Sequence, residues 1–321
     1  METLGAQPIG DAECRFLVWA PFARNVEVQI EAPAQQIVSL REGADGRFCA
    51  TVRGVHPGST YFYRLDQTVA RPDPASRYQP HGVHGPSQVV SSQFDWQDSR
   101  WKGLPLDRLV IYELHVGTFT PEGTFDAVIP RLAALRELGV NTIELMPVAQ
   151  FPGSRNWGYD GVYPFAVQNS YGGPDGLRRL VNAAHKVGLG VALDVVYNHL
   201  GPEGNYLRNF GPYFTDRYKT PWGDALNFDG PFSDHVRQFF ISNALYWISD
   251  FHVDTLRLDA IHAIVDTSAL PFLEELTRDV HSLAANLGRS VHVIAESDLN
   301  DSRVVRPRAL GGLGCAAQWT D

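Results

Sequence analysis

The spacing of apolar and polar positions changes near residue 107. Up to about residue 90, short runs at 15–19, 26–30, 47–52 and 60–65 alternate apolar with polar side chains and are separated by Gly, Pro and Asp. Period-two runs punctuated in this way predict a small antiparallel β-sandwich over residues 1–90. The stretch 70–105, rich in Pro, Gly, Ser and Trp, reads as an ordered connector, with a linker at 91–106. From 107 to 321 the period switches back and forth. Apolar runs at 109–112, 141–146, 190–196, 255–258 and 291–294 predict buried strands, and 314–319 predicts a sixth. Between them lie helices of 3.6 period. One begins at Ser233 as N-cap and aligns Val236, Phe240, Ala244, Trp247 and Phe251; another aligns Leu273, Leu276, Val280, Leu283 and Leu287.

Alternating β and α elements imply a parallel sheet. No Gly-x-Gly-x-x-Gly follows the first strand, which disfavours a dinucleotide-binding sheet. The expected fold class is α/β: a (β/α)8 TIM-type barrel, incomplete at about six strands, preceded by the sandwich. With 321 residues, 44% hydrophobic and 20% charged, the chain has the balance of an ordinary globular protein. The N-terminal segment lacks the basic and apolar regions of a secretory signal, so the expectation is a cytoplasmic protein with no membrane partner. A net charge of −9 without a basic run argues against nucleic acid and leaves a neutral substrate. Cys14, Cys49 and Cys315 have no CxxC spacing and are read as packing residues rather than disulfide or zinc ligands.

Charged residues inside buried strands need a reason, because an unpaired buried charge costs several kcal/mol. Alternation places Arg257 and Asp259 on one face of the run 255–259, opposite Leu256 and Leu258. Asp194 and Asn198 share a face in DVVYNH (194–199), with His199 one residue beyond, and Glu296 closes VHVIAE (291–296). A cluster of Asp194, Asn198, His199, Arg257, Asp259, His262 and Glu296 at one rim follows. Asp194 with Arg257 could equally be an ion pair that merely closes the barrel. Two carboxylates are what glycoside cleavage requires, and a separation of about 5–5.5 Å would mean retained anomeric configuration. Glu296 follows an apolar run and suits the acid; Asp259, beside Arg257, suits the anionic partner. The segment NWGYDGV (156–162) adds Trp157, Tyr159 and Asp160, rings and an acid that suit the CH faces and hydroxyls of a sugar. The aromatic and polar insertion 205–227 is long enough to be functional.

In order and on successive strands, 194–199, LRLDAIH (256–262) and IAE (294–296) resemble the signatures of the α-amylase superfamily of retaining glycoside hydrolases and transglycosylases. The resemblance implies Asp259 as nucleophile, Glu296 as general acid/base, and Arg257, Asp194 and His199 as supports of the nucleophile and the sugar ring. RPDPASRYQP (71–80), HGPSQVV (84–90), YELHVGTF (112–119), ELMPVAQF (144–151) and YNHLGPEGNY (197–206) are similar to a trehalose-releasing branch of that family. That likeness implies hydrolysis of the α-1,4 bond next to the terminal trehalose unit of maltooligosyltrehalose, with a carbohydrate-binding-like sandwich and no cofactor or metal. The alternatives are a 1,4-α-glucan branching transferase, a metal-dependent barrel hydrolase built on His115, His199, His262 and Asp259, and a non-catalytic glucan-binding protein. The family's fourth signature, a His-Asp pair carrying a third acid, has no counterpart here, and Asp321 in QWTD (318–321) is not that acid. The chain alone is therefore expected to be truncated, nearly inactive and prone to associate through an open sheet edge.

Overall fold

The computed structural model describes residues 3–10 and 12–320; Asp321 lies outside them. Two compact units emerge, and neither is one stretch of chain: the first comprises residues 1–94, 149–174 and 201–213, the second 95–148, 175–200 and 214–321.

In the first unit two antiparallel sheets form the sandwich. One has the order Gly5–Pro8, Glu13–Trp19, Arg47–Arg53, Arg41–Glu42; the other runs Gln36–Ser39, Val26–Ala32, Thr60–Leu65, Val69–Arg71, with Ser87–Gln88 also pairing Thr60–Leu65. Each predicted run is recovered as a strand; alternation gives most of them one dry face, while Phe16 to Trp19 are buried on both. In Val26–Ala32 the side chains of Val26, Val28 and Ile30 are buried and those between them are not. Phe16 meets Tyr61 edge-to-face at 4.9 Å in that core. The Asp73 carboxylate is buried beside them, accepting from Tyr61 Oη at 2.6 Å and Ala75 N at 2.7 Å. Burial pushes Asp73 up to about 6 against those bonds.

The second unit holds six parallel strands in sequential order: β1 Ile111–Leu114, β2 Thr142–Leu145, β3 Gly190–Val195, β4 Thr255–Leu258, β5 His292–Glu296 and β6 Ala317–Trp319. This is the sheet of an incomplete (β/α)8 barrel. Four helices matter here: α1 Leu132–Leu138, α2 Gly173–Lys186, α3 Ser233–Asp250 and α4 Phe272–Leu287. All five residues of the predicted α3 stripe are buried. Ser233 is not its cap: Phe232, at φ 65°, takes the cap position and Ser233 is the first helical residue. On α4 the buried stripe passes through Thr277 and Ala284, while Leu287 is exposed. The predicted steps of three and four stay close to the helical 3.6, so the face holds through Val280; past it Ala284 is buried in place of half-buried Leu283, and Leu287 ends the helix in solvent.

At the N-terminal ends of β3 and β4 the barrel is closed by a charged cluster. His185 sits between two carboxylates, Nδ1 at 2.8 Å from Asp98 Oδ2 and Nε2 at 2.9 Å from Asp254 Oδ2. His252 shares the same Asp98 oxygen at 2.7 Å, and Arg289 reaches Asp254 Oδ1 at 2.9 Å. Trp101 stacks on His185 and Trp96 on His252. Burial opposes the charge on His185, yet its two carboxylate partners outweigh burial and its pKa is raised. For His252 burial wins, because only Asp98 opposes it and Arg289 is close, and its pKa is lowered. Asp98 is also opposed by burial, but hydrogen bonds from both histidines bring it down to about 2.

Replacing His185 with Gln strands two buried carboxylates and is expected to cost about 3–5 kcal/mol in urea unfolding. Since the folded-state pKa of His185 is raised, its contribution is complete below the unfolded value near 6.5 and fades as pH rises through the folded value. The gap between wild type and variant should therefore narrow on the alkaline side, and a gap that widens there contradicts the charged His185.

Candidate active site

The opposite ends of β3, β4 and β5 gather the predicted polar residues. Parallel pairing sets Asp194 level with Arg257, so both side chains enter one layer of the barrel interior. Arg257 Nη1 donates to Asp194 Oδ2 at 2.7 Å and lies 3.7 Å from Asp259 Oδ1. Its Nε is 3.7 Å from Glu144 Oε1, on β2. Asp194 and Glu144 are each 1% exposed and Arg257 is 7% exposed. One guanidinium thus faces three carboxylates in a dry interior.

Beyond Leu258 the ladder runs one residue further, Asp259 N donating to Val195 O at 3.0 Å, and then the chain turns sharply. Ala260 adopts φ 42°, ψ 54°, a left-handed conformation that costs an alanine about 1–2 kcal/mol. That turn aims the Ala260 amide at Glu296 Oε2, which accepts at 2.6 Å. Asn198 Nδ2 donates to both the main-chain O and the Oδ2 of Asp259, each at 2.8 Å. Asn198 Oδ1 in turn meets His199 Nδ1, and the His199 ring stacks on Trp222 with centroids 4.4 Å apart and planes 8° apart.

Asp194, Asn198, His199, Arg257, Asp259 and Glu296 therefore form one connected group. His262 does not join it through these bonds; its Nδ1 lies 3.8 Å from Asp298 Oδ1 on an exposed surface. Trp157, Tyr159 and Asp160 belong to the other compact unit. There Asn156 closes the loop, donating to Asp160 Oδ2 at 2.7 Å and accepting from Gly158 N at 2.8 Å. Trp157 is left 76% exposed at its tip. Gly201 is required beneath this loop, because a Cβ there would stand 2.2 Å from Asp160 O.

Two neighbours of the group escaped the sequence reading. Glu144 interrupts an apolar run in the same way as Arg257, and that interruption was the available signal. Trp222, 48% exposed, stands at the turn of an antiparallel hairpin, Phe214–Thr220 with Gly223–Leu226. The insertion was legible as functional, but nothing in it singled out the residue that covers His199.

A parallel barrel with a buried Arg–Asp pair and two carboxylates at its C-terminal rim is the arrangement of an α-amylase-type catalytic domain. Residues 88–222 match the family model for the alpha amylase catalytic domain, and residues 3–79 match carbohydrate-binding module 48, the isoamylase N-terminal domain. The chain is similar to malto-oligosyltrehalose trehalohydrolases: it is 54% identical over 306 residues to the one from Saccharolobus solfataricus, covering 95% of this chain and 53% of that protein. A crystal structure described as an alpha amylase from Salmonella typhimurium superimposes with a TM-score of 0.86 at 43% identity, over 92% of this chain and 50% of that one. A 1,4-alpha-glucan branching enzyme from Kitasatospora aureofaciens is 32% identical over 362 residues, covering 98% of this chain and 46% of that protein. The chain spans about half the length of the curated relatives it matches. No helix among the described residues is long and apolar enough to cross a membrane.

Removing the shared cation should be costly whatever the reaction. Arg257→Leu leaves Asp194 buried beside Glu144 and is expected to lower stability by about 3–5 kcal/mol in urea unfolding. Arg257→Lys should recover less than half of that, since one ammonium cannot reach acceptors placed around a planar fork. Full recovery by lysine would show that only net charge matters there.

Proposed function

We propose that the protein is a retaining glycoside hydrolase that cleaves the α-1,4 bond next to the terminal trehalose unit of maltooligosyltrehalose and releases trehalose. The observation that carries this reading is the pair Asp259 and Glu296, brought to adjacent strand ends and joined through the Ala260 amide. Similarity to trehalohydrolases supports the substrate.

In this reading Asp259 is the nucleophile and Glu296 the general acid. Glu296 Oε2 accepts from the Ala260 amide, so in this reading Oε1 is the oxygen that carries the transferable proton. Protonation of the glycosidic oxygen accompanies attack of Asp259 on the anomeric carbon, so trehalose leaves and a glucosyl-aspartate ester remains. Glu296, now a base, takes a proton from water as that water breaks the ester, which restores both carboxyl groups and keeps the anomeric configuration. Arg257 and Asp194 hold the nucleophile from below. Asn198 fixes its rotamer, and His199 and His262 offer hydrogen bonds to the ring. Trp157, Tyr159 and Asp160 provide stacking and polar contacts to the glucan. These side chains perform the chemistry without a dissociable cofactor or metal. Residues 1–90 act as the carbohydrate-binding-like module, 91–106 as linker and 107–321 as part of the catalytic barrel, in a cytoplasmic enzyme whose partner is malto-oligosaccharide.

Asp259→Asn in the intact protein should lower trehalose release at least about 10³-fold while malto-oligosaccharide binding, followed by calorimetry, persists. Turnover within tenfold of wild type removes Asp259 from the nucleophile role. The branching alternative shares the acids and is separated by products, because it makes α-1,6 linkages and no free trehalose.

A further inference from the structure

Glu144 has no part in the chemistry above, yet it is the most deeply placed acid of the group. It sits mid-strand in β2, where all four side chains are buried. Its Oε1 has no hydrogen-bond partner, and the nearest cation, Arg257 Nε, is 3.7 Å away, beyond hydrogen-bond range. Arg257 instead commits Nη1 to Asp194 at 2.7 Å. Were all three carboxylates ionised, they and the one guanidinium would together carry a net charge of about −2 in a medium where desolvation of each ion costs several kcal/mol.

The surrounding elements give Glu144 no further cation. Register pairs it with Glu113 on β1 and Ala192 on β3, and Asp194 stands one layer higher on β3. On β4 the same face carries Thr255 and Arg257. His292 opens β5 and spends its Nε2 on Leu104 O at 2.8 Å. Burial pushes the Glu144 carboxyl up to about 7; Arg257 offsets part of that push and Glu113 adds to it. A carboxyl in such surroundings is held neutral through the mildly acidic range and gives up its proton close to neutrality.

We propose that Glu144 is a positioning residue for the nucleophile: as the neutral acid it leaves Arg257 bonded to Asp194 and within 3.7 Å of Asp259, and when it loses its proton to solvent it draws the guanidinium down toward β2. The effect on turnover rests on the hydrolase reading above, whereas the coupling between Glu144 and Arg257 does not. Asp259 would then keep its side-chain bond from Asn198 but lose the cation beneath it. The site would weaken as pH rises, through a group that touches neither substrate nor the reacting atoms.

The test follows the two partners separately in the intact protein without substrate. Infrared spectra of protein labelled with carbon-13 at glutamate carboxyl groups should show an isotope-shifted protonated-carboxyl band at about pH 6 that is lost with a midpoint near 7; subtracting the spectrum of Glu144→Gln, which keeps the proposed acid Glu296, should leave this Glu144 band. The glutamate label separates this band from that of buried Asp73. The Arg257 Nε–H resonance should move over the same pH range in wild type and stay fixed in Glu144→Gln. With maltooligosyltrehalose, kcat/KM of the variant should stay within about threefold of wild type at about pH 6 and hold its plateau about one pH unit further into the alkaline range. A wild type with no such band, or an Arg257 signal indifferent to pH, overturns the proposal even if the variant does not fold. So does a variant whose alkaline limb matches wild type, the result expected of a merely structural side chain. Coupled titration in a protein that hydrolyses no maltooligosyltrehalose would refute the hydrolase reading and support the coupling.

Discussion

The buried guanidinium of Arg257 is the constraint around which the catalytic end of the barrel is arranged. Asp194, Asp259 and Glu144 come from three strands, and without a cation between them their carboxylates would repel in a medium of low dielectric. Only sequential parallel order in fixed register sets Asp194 level with Arg257, 63 positions away in the chain, and holds Glu144 one layer below them. The sheet makes the ion cluster possible, and the cluster penalises any slip of β3 against β4. A shift by one residue would turn Arg257 toward the helices and leave Asp194 facing no cation.

The two ends of the same strands treat charge differently. At the N-terminal end His185, His252, Arg289, Asp98 and Asp254 bond to one another, with Trp96 and Trp101 laid over the imidazoles. That is a stability device, since its groups are occupied by each other. At the C-terminal end carboxylates outnumber the single Arg257, and Trp222 stands partly open to solvent over His199. Barrels commonly divide labour in this way, keeping chemistry at the face where strands end and loops can vary.

Much of the catalytic end was legible because strand physics is local. A charged residue in an apolar run is an anomaly that sequence displays, and period two then says which neighbours share its face; Asp194, Arg257 and Asp259 follow from that. The argument stops where the strand stops. Asn198 lies beyond Val195, the last residue of β3, so its approach to Asp259 comes from loop geometry that alternation cannot supply. Glu144 displayed the same anomaly as Arg257, but its meaning depends on β2 lying beside β3, a fact of topology. On α4 the leucine stripe held through Val280, but Ala284 is buried where Leu283 was expected and the final Leu287 lies exposed at the helix end. Trp222 reaches His199 through a hairpin whose register no local pattern encodes. The acid and aromatic residues of 157–160 were legible as sugar-compatible by type, and the structure accounts for them through the loop bonds of Asn156.

The left-handed turn at Ala260 has one more implication. The peptide that leaves Asp259 is the peptide that donates to Glu296, so the two carboxyl groups are mechanically joined through a single amide plane. Neither can drift without tugging the other. A displacement of the segment after β4 would move both groups together, preserving their mutual spacing while changing their height against a bound sugar. On the proposed glycosidase reading, the carboxylate spacing that sets retention against inversion is thus buffered, and the depth at which the sugar would sit is the softer coordinate of the site.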